Sequence, residues 1–223
     1  MSIDTFRHFV TYSELLSAII GTVYFYKYKH THLKYFLFLL WYITLTEFTG
    51  WYASHNNVLV FFDENGIDYN HWLYNLLYFI FFNVVLCIYL KTIKKNNHKL
   101  WVKFFIIGYI ITSIINWIFI QNIIFEMSEL PYVIGSIFLI ISIVFYFLQL
   151  LRSEEIKTFH KELLFWISIG LLIFHSGTIP FSLKYNDYAL IPGIHELYLI
   201  IYILALTMYL IFTFGFIWSN KEK

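Results

Sequence analysis

Residues 165–181 read FWISIGLLIFHSGTIPF, an apolar run that ends in a histidine, two hydroxyls, a glycine and a proline. With its flanking residues the run is about 20 residues long, the length a helix needs to cross a hydrocarbon core of about 30 Å. Runs of this kind recur along the whole chain. They lie at about 9–28, 34–54, 71–91, 100–121, 130–151, 163–183 and 195–218. The quoted stretch is therefore the sixth of seven predicted transmembrane helices.

The composition agrees with a membrane protein. Hydrophobic residues make up 60% of the 223 positions and charged residues only 13%, whereas soluble domains are about one quarter charged. The polar breaks between the runs use nearly all of the remaining chain. Strands of a membrane barrel would alternate apolar and polar residues, and these runs do not. The sequence predicts an all-α polytopic membrane protein with one domain, residues 1–223.

The basic residues predict an orientation. Thirteen of the fifteen lysines and arginines fall in alternate breaks on one side, and only Arg7 and Lys184 fall on the other. Cytoplasmic loops carry the excess of basic residues, so we expect the amino terminus outside and the carboxyl terminus in the cytoplasm of a bacterial inner membrane. The basic loop 91–103 then acts as a topology signal in contact with the lipid bilayer, and we expect no nucleic-acid partner.

Polar side chains within the predicted helices gather toward the outer face. A charged group at the centre of a membrane helix costs about 2.5–3.5 kcal/mol, so such residues are functional or paired. Glu47 lies well inside the second helix, whereas Glu14 in the first helix is close enough to the boundary to reach the interface. We expect a small-molecule ligand or solute to enter from outside. Its predicted binding residues are Glu47, His55, His71, His175, His195 and Glu196.

Other intramembrane residues are expected to be structural. Ser13, Ser17 and Gly21 recur every fourth position, which is typical of closely packed membrane helices. Tyr209 is expected in the core of the bundle. Cys87 is the only cysteine, so it forms no intramolecular disulfide and is expected to be a small core residue.

Several classes of function remain open. Four histidines near one membrane face suggest a metal or haem site, but no two of them are spaced as ligands on one helix, and we expect no metal and no cofactor. The run 195–218 has no lysine for a retinal Schiff base, and no complete catalytic set is present. We therefore expect no enzyme, although an intramembrane metal- or haem-dependent enzyme and a small-solute transporter stay as alternatives.

The aromatic-rich helices and the ending FHSGTIPF of the sixth helix resemble the compact seven-helix membrane modules that accompany, or are fused to, bacterial sensor kinases. This resemblance implies a sensory or accessory membrane protein. A ligand at the outer face would shift the packing of the helices. The short cytoplasmic loops and the tail SNKEK would then pass that shift to a cytoplasmic signalling partner.

Overall fold

Seven α-helices make up most of the described part of the chain. The structure is a computed structural model, and it describes residues 3–63, 66, 68–152, 158–183 and 195–221. The helices are α1 (Ile3–Val23), α2 (Lys34–Asn56), α3 (His71–Thr92), α4 (Asn96–Ile115), α5 (Glu129–Leu151), α6 (Leu163–Ser182) and α7 (His195–Trp218). A π-helical turn, Asn116–Ile120, continues α4. Two-residue strands, β1 (Phe61–Phe62) and β2 (Asp68–Tyr69), pair antiparallel between α2 and α3.

Five of these helices are long and apolar enough to cross a bilayer, which confirms the predicted all-helical class and indicates a multi-pass membrane protein. They are His71–Thr92, Asn96–Ile120, Glu129–Leu151, Leu163–Ser182 and Tyr198–Trp218. The first two helices have comparable lengths of 21 and 23 residues. Because they carry more polar residues, seven spans remain a prediction.

The predicted bounds of the first helix were wrong. The run 9–28 was expected to be helical, but α1 begins at Ile3 and ends at Val23, and a 3₁₀ turn follows. The Tyr28 hydroxyl donates a hydrogen bond back to the carbonyl of Gly21. The chain therefore turns back after Val23, whereas the hydropathy pattern alone predicts that the helix continues to residue 28. When the π-helical turn is counted with α4 (Asn96–Ile120), the bounds of the other six helices differ from the prediction by four residues or fewer.

Six of the helices form a closed ring. In order of contact they are α1, α2, α3, α5, α6 and α7, and α7 packs against α1 to complete the ring. Helix α4 packs outside it, against α3 and α5. Small residues allow the closest approaches: a Cβ at Gly177 would lie 2.5 Å from a methyl carbon of Leu204 on α7. Ser17 is fully buried, and a Cβ at Gly21 would touch Leu37, which confirms the predicted packing face of α1.

Candidate functional site: a buried polar layer

Two carboxyl groups lie together inside the ring. The side chain of Glu14 on α1 is only 3% exposed, and it interacts electrostatically with Glu47 on α2. The hydroxyls of Thr44 and Tyr209 approach the Glu14 carboxyl group. Its Oε1 atom is nevertheless buried, with no hydrogen-bond partner in the part of the chain that the structure describes. A buried acid beside a second acid is costly, so this pair has no simple structural explanation.

Glu47 is held from a third helix. The hydroxyl of Tyr74 on α3 donates a hydrogen bond to Oε2 of Glu47, with 3.3 Å between the oxygens. Arg7, in the first turns of α1, also interacts electrostatically with Glu47. Side chains from α1, α2, α3 and α7 therefore meet at the acid pair. The basic side chain that interacts with the pair, Arg7, comes from the amino-terminal part of α1.

His175 lies in a second buried cluster. Its side chain is 2% exposed, and its ring packs between Phe81 and Phe82 of α3, with centroid distances of 5.5 and 5.3 Å. The Nδ1 atom lies 2.9 Å from the hydroxyl oxygen of Ser136 on α5. The Nε2 atom is buried and has no hydrogen-bond partner among the described residues. The histidine that closes the apolar run of α6 is thus a core residue with one nitrogen left unpaired.

Tyrosines connect the two clusters. Tyr78 interacts electrostatically with Tyr209, and its ring centroid lies 5.0 Å from that of Tyr132. The Tyr132 hydroxyl in turn lies 2.9 Å from the hydroxyl of Thr178. We refer to the connected set as the polar layer. It consists of Glu14 (α1), Glu47 (α2), Tyr74 and Tyr78 (α3), Tyr132 and Ser136 (α5), His175 and Thr178 (α6), and Tyr209 (α7). Every helix of the ring contributes to it.

Of the four predicted ligand-binding residues whose side chains the structure describes, two belong to the polar layer, Glu47 and His175. His55 is exposed in the last turn of α2 and stacks on Trp51, with 5.6 Å between ring centroids. His71 is the first residue of α3, and its ring packs against that of Tyr69, with 5.5 Å between the ring centroids. The contacts within the described ranges connect neither histidine to the polar layer. The side chains of His195 and Glu196 lie outside the described part of the chain.

Several members of the polar layer were not predicted. Glu14 was judged to reach the interface, yet it is more buried than Glu47. The sequence did contain a signal, because Glu14, Ser17 and Gly21 are spaced i, i+3 and i+7 and so share one helix face. An acid on a face of small packing residues is placed between helices. Tyr78 shares one face of the third helix with His71 and Asn75, at i, i+4 and i+7, whereas Tyr132 had no such signal, since tyrosine is abundant throughout the chain.

The described residues contain no group of three or more His, Cys, Asp or Glu side chains that could hold a metal ion. The fold and the polar layer together define a helical protein with five candidate membrane-spanning helices in its described part and an enclosed cluster of ionisable side chains. No family model, no curated protein and no solved structure matches the chain. The function must therefore be inferred from the polar layer itself.

Proposed function

We propose that the protein is a sensory or accessory membrane protein in which a small ligand reaches the polar layer from the outer face. The observation that carries this proposal is that all six helices of the ring contribute side chains to one connected layer. A ligand that binds there changes contacts on several helices at once. It therefore favours one packing arrangement over another, and cytoplasmic loops pass that change to a partner.

Two atoms support ligand binding within the layer. Buried polar groups are almost always hydrogen-bonded, yet Oε1 of Glu14 and Nε2 of His175 are not. They lie at opposite ends of the layer and are connected through Tyr209, Tyr78 and Tyr132. A ligand with a donor group would satisfy the carboxylate oxygen. A second polar group on the ligand, or a shift of the helices on binding, would satisfy the imidazole.

The finer topology is part of the proposal. At 1.5 Å per residue, α1 and α2 are about 31 and 34 Å long, enough to cross the hydrocarbon core as well. With seven spans, the excess of lysine in alternate loops places the amino terminus outside and the carboxyl terminus in the cytoplasm of a bacterial inner membrane. Tyr74 and Tyr132 then lie in the outer turns of their helices, so the layer is approached from outside.

A second candidate is a proton-coupled transporter of a small solute. The Glu14–Glu47 pair favours it, because acids inside a membrane bundle mark proton and ion pathways. Under this alternative the ligand of the polar layer is the solute that is carried. The two candidates predict the same binding residues and differ in whether the ligand crosses the membrane.

One experiment tests both candidates. The purified protein is screened against small amines, carboxylic acids and sugars by its thermal unfolding midpoint in mild detergent. A ligand of the polar layer raises the midpoint of the wild type and of the control His55→Ala, and this effect is lost in Glu14→Gln and Glu47→Gln. Uptake of the same compound into proteoliposomes would establish transport, and binding without uptake would establish the receptor. A compound that stabilises the glutamine variants as well as the wild type would contradict a site in the layer.

A further inference from the structure

A groove runs along the outside of the ring between α2 and α3. It encloses a cavity of about 470 Å³ whose lining includes Tyr35, Phe38 and Tyr42 of α2 and Val84, Cys87 and Lys91 of α3. Cys87 is exposed there, so the prediction that it is a core residue was wrong.

The dimensions of the groove match one leaflet. Along α3 its lining extends from Ile80 to Lys91, which is about 16 Å of helix. That is close to half of a hydrocarbon core of about 30 Å. Phe38 and Ile80 are exposed on its wall, and in a spanning helix they face acyl chains. The groove therefore extends from one end of α3 to the middle of the membrane.

The end of the groove at Lys91 is basic. The Nζ atoms of Lys34 and Lys91 lie 5.2 and 5.3 Å from the centroid of the same ring, that of Tyr35. Neither lysine forms an ion pair within the described part of the chain. His32 is close enough to both for their positive charge to add to the effect of its own burial in lowering the pKa of the imidazole. Three basic groups thus converge, and neither lysine has a carboxylate partner among the described residues.

The backbone at the start of α2 adds partial positive charge to the same end of the groove. Helix α2 begins at Lys34, and the amino-terminal end of a helix carries a partial positive charge that favours anions. A lysine in the first turn is unfavourable next to that charge unless an anion is bound. The two lysines, the histidine and the helix end all favour the same negatively charged group.

We propose that this groove binds one anionic phospholipid, with an acyl chain along Phe38 and Val84 and the phosphate between Lys34 and Lys91. An apolar channel of one leaflet's depth that ends in two converging lysines has the shape and the charge distribution of such a lipid. A helix of a second copy would cover the apolar wall but would leave the lysines unpaired. The proposal is independent of the ligand of the polar layer.

The single cysteine allows a direct test. The full-length protein is labelled at Cys87 with benzophenone maleimide and reconstituted in vesicles of equal parts phosphatidylglycerol and phosphatidylcholine with identical acyl chains. After irradiation, mass spectrometry of the adducts identifies the headgroup in the groove. Because each lysine near a membrane surface favours anionic lipid by about fivefold, we expect phosphatidylglycerol adducts to exceed phosphatidylcholine adducts by at least that factor.

Two double variants distinguish lipid binding in this groove from a general attraction of anionic lipid to basic residues. Lys34→Gln/Lys91→Gln removes the two lysines at the groove and is expected to bring the adduct ratio down to about that of the bulk lipid. Lys99→Gln/Lys103→Gln removes the same charge from α4 and should retain the preference. Native mass spectrometry of the unlabelled protein, with the same two lipids, guards against displacement of lipid by the label. Equal adduct yields in the wild type, or crosslinks mainly to a second copy of the chain, would overturn the proposal.

Discussion

The hydroxyl of Tyr74 lies 3.3 Å from Oε2 of Glu47 and rests against α2 one turn further along, at Gly50. A Cβ at position 50 would lie 2.6 Å from that hydroxyl oxygen. The absence of a side chain at Gly50 is therefore what allows a tyrosine of α3 to reach a carboxylate of α2. The hydrogen bond and the close approach of α2 and α3 both depend on Gly50. The effects of substituting Gly50 and Tyr74 on the free energy of unfolding should therefore be coupled.

Gly50→Ala is expected to destabilise the protein by about 1–3 kcal/mol, because an extra methyl in a packed site displaces its neighbours. Tyr74→Phe removes the hydroxyl and should cost about 1 kcal/mol for the lost hydrogen bond. In the Tyr74→Phe background the methyl group of the alanine has no hydroxyl to displace. Gly50→Ala should therefore lower the free energy of unfolding by a smaller amount in that background. Unfolding free energies in detergent for the two single variants and the double variant measure this coupling, and strictly additive values would contradict it.

Glu14→Gln is expected to leave the thermal unfolding midpoint unchanged or raised, since the amide keeps the shape of the side chain and removes the cost of burying a charge. Glu14→Leu should lower the midpoint by an amount that corresponds to about 1–3 kcal/mol in the free energy of unfolding, because the hydroxyl of Tyr209 then loses its partner. Thr44 is less affected, since its hydroxyl keeps the hydrogen bond that it donates to the carbonyl of Leu40. A glutamine variant as unstable as the leucine variant would show that the carboxylate is required for stability.

Most of the helical fold could be predicted from the sequence because continuous apolar runs of bilayer length are a strong signal. The exception was α1, which begins six residues before the predicted run 9–28 and ends five residues before the end of that run. The early end has a structural reason. There the reversal depends on a hydrogen bond from Tyr28 to the backbone of Gly21, and hydropathy contains no information about such a bond. The spacing of Ser13, Ser17 and Gly21 was sufficient to predict a packing face.

The candidate site was only partly predictable. Glu47 and His175 were singled out because an acid and a histidine are rare within apolar runs, and both belong to the polar layer. The sequence could not show which of the outer polar residues share that layer, because this depends on how the helices are arranged around the ring. His55 and His71 lie at helix ends, where a histidine has little cost, and the same reasoning could not separate them from His175.

Asn75 is expected to hold the loop between α4 and α5. Its Nδ2 atom donates to the carbonyls of Ile123 and Glu126, and its Oδ1 accepts from the amide of Ser128, each at 2.9 Å. Asn75→Leu removes three hydrogen bonds of about 1 kcal/mol each and should increase hydrogen exchange at residues 121–128. Asn83→Leu is the matched control, because Asn83 donates only to Phe79 of its own helix. Unchanged exchange in Asn75→Leu would contradict this role.

Lys27 is expected to fix the end of α7. Its Nζ atom donates to the carbonyls of Phe216, Ile217 and Ser219, at 3.1, 2.8 and 2.7 Å, and a cation is favourable at the carboxyl end of a helix. Lys27→Met should lower stability by about 1–3 kcal/mol and make the carboxyl-terminal residues more sensitive to proteolysis. The neighbouring exposed Lys29 makes no such bonds within the described residues, so Lys29→Met should have little effect on either measurement. Equal proteolysis of the two variants would exclude a capping role for Lys27.

His32 should make lipid binding depend on pH. Burial and the charges of Lys91 and Lys34 lower the pKa of His32, so its imidazole is mostly neutral at pH 7 in the absence of lipid. Glu162, Lys161 and Lys221 line the cavity on its other side, and Glu162 already accepts a hydrogen bond from Tyr146 at 2.8 Å. A phosphate between the lysines favours the protonated imidazole, and by linkage a group that gains a proton on binding makes binding tighter as the pH falls.

The preference for phosphatidylglycerol over phosphatidylcholine at Cys87 should therefore increase as the pH falls from about 7.5 to below the usual histidine pKa of about 6.5. His32→Gln should retain the preference at pH 7.5 and lose its increase at low pH, because the glutamine cannot become a third cation. Titrating the adduct ratio in both proteins separates the histidine from the lysines, whose charge does not change in this range. An increase of the same size in His32→Gln would assign the pH dependence to another group.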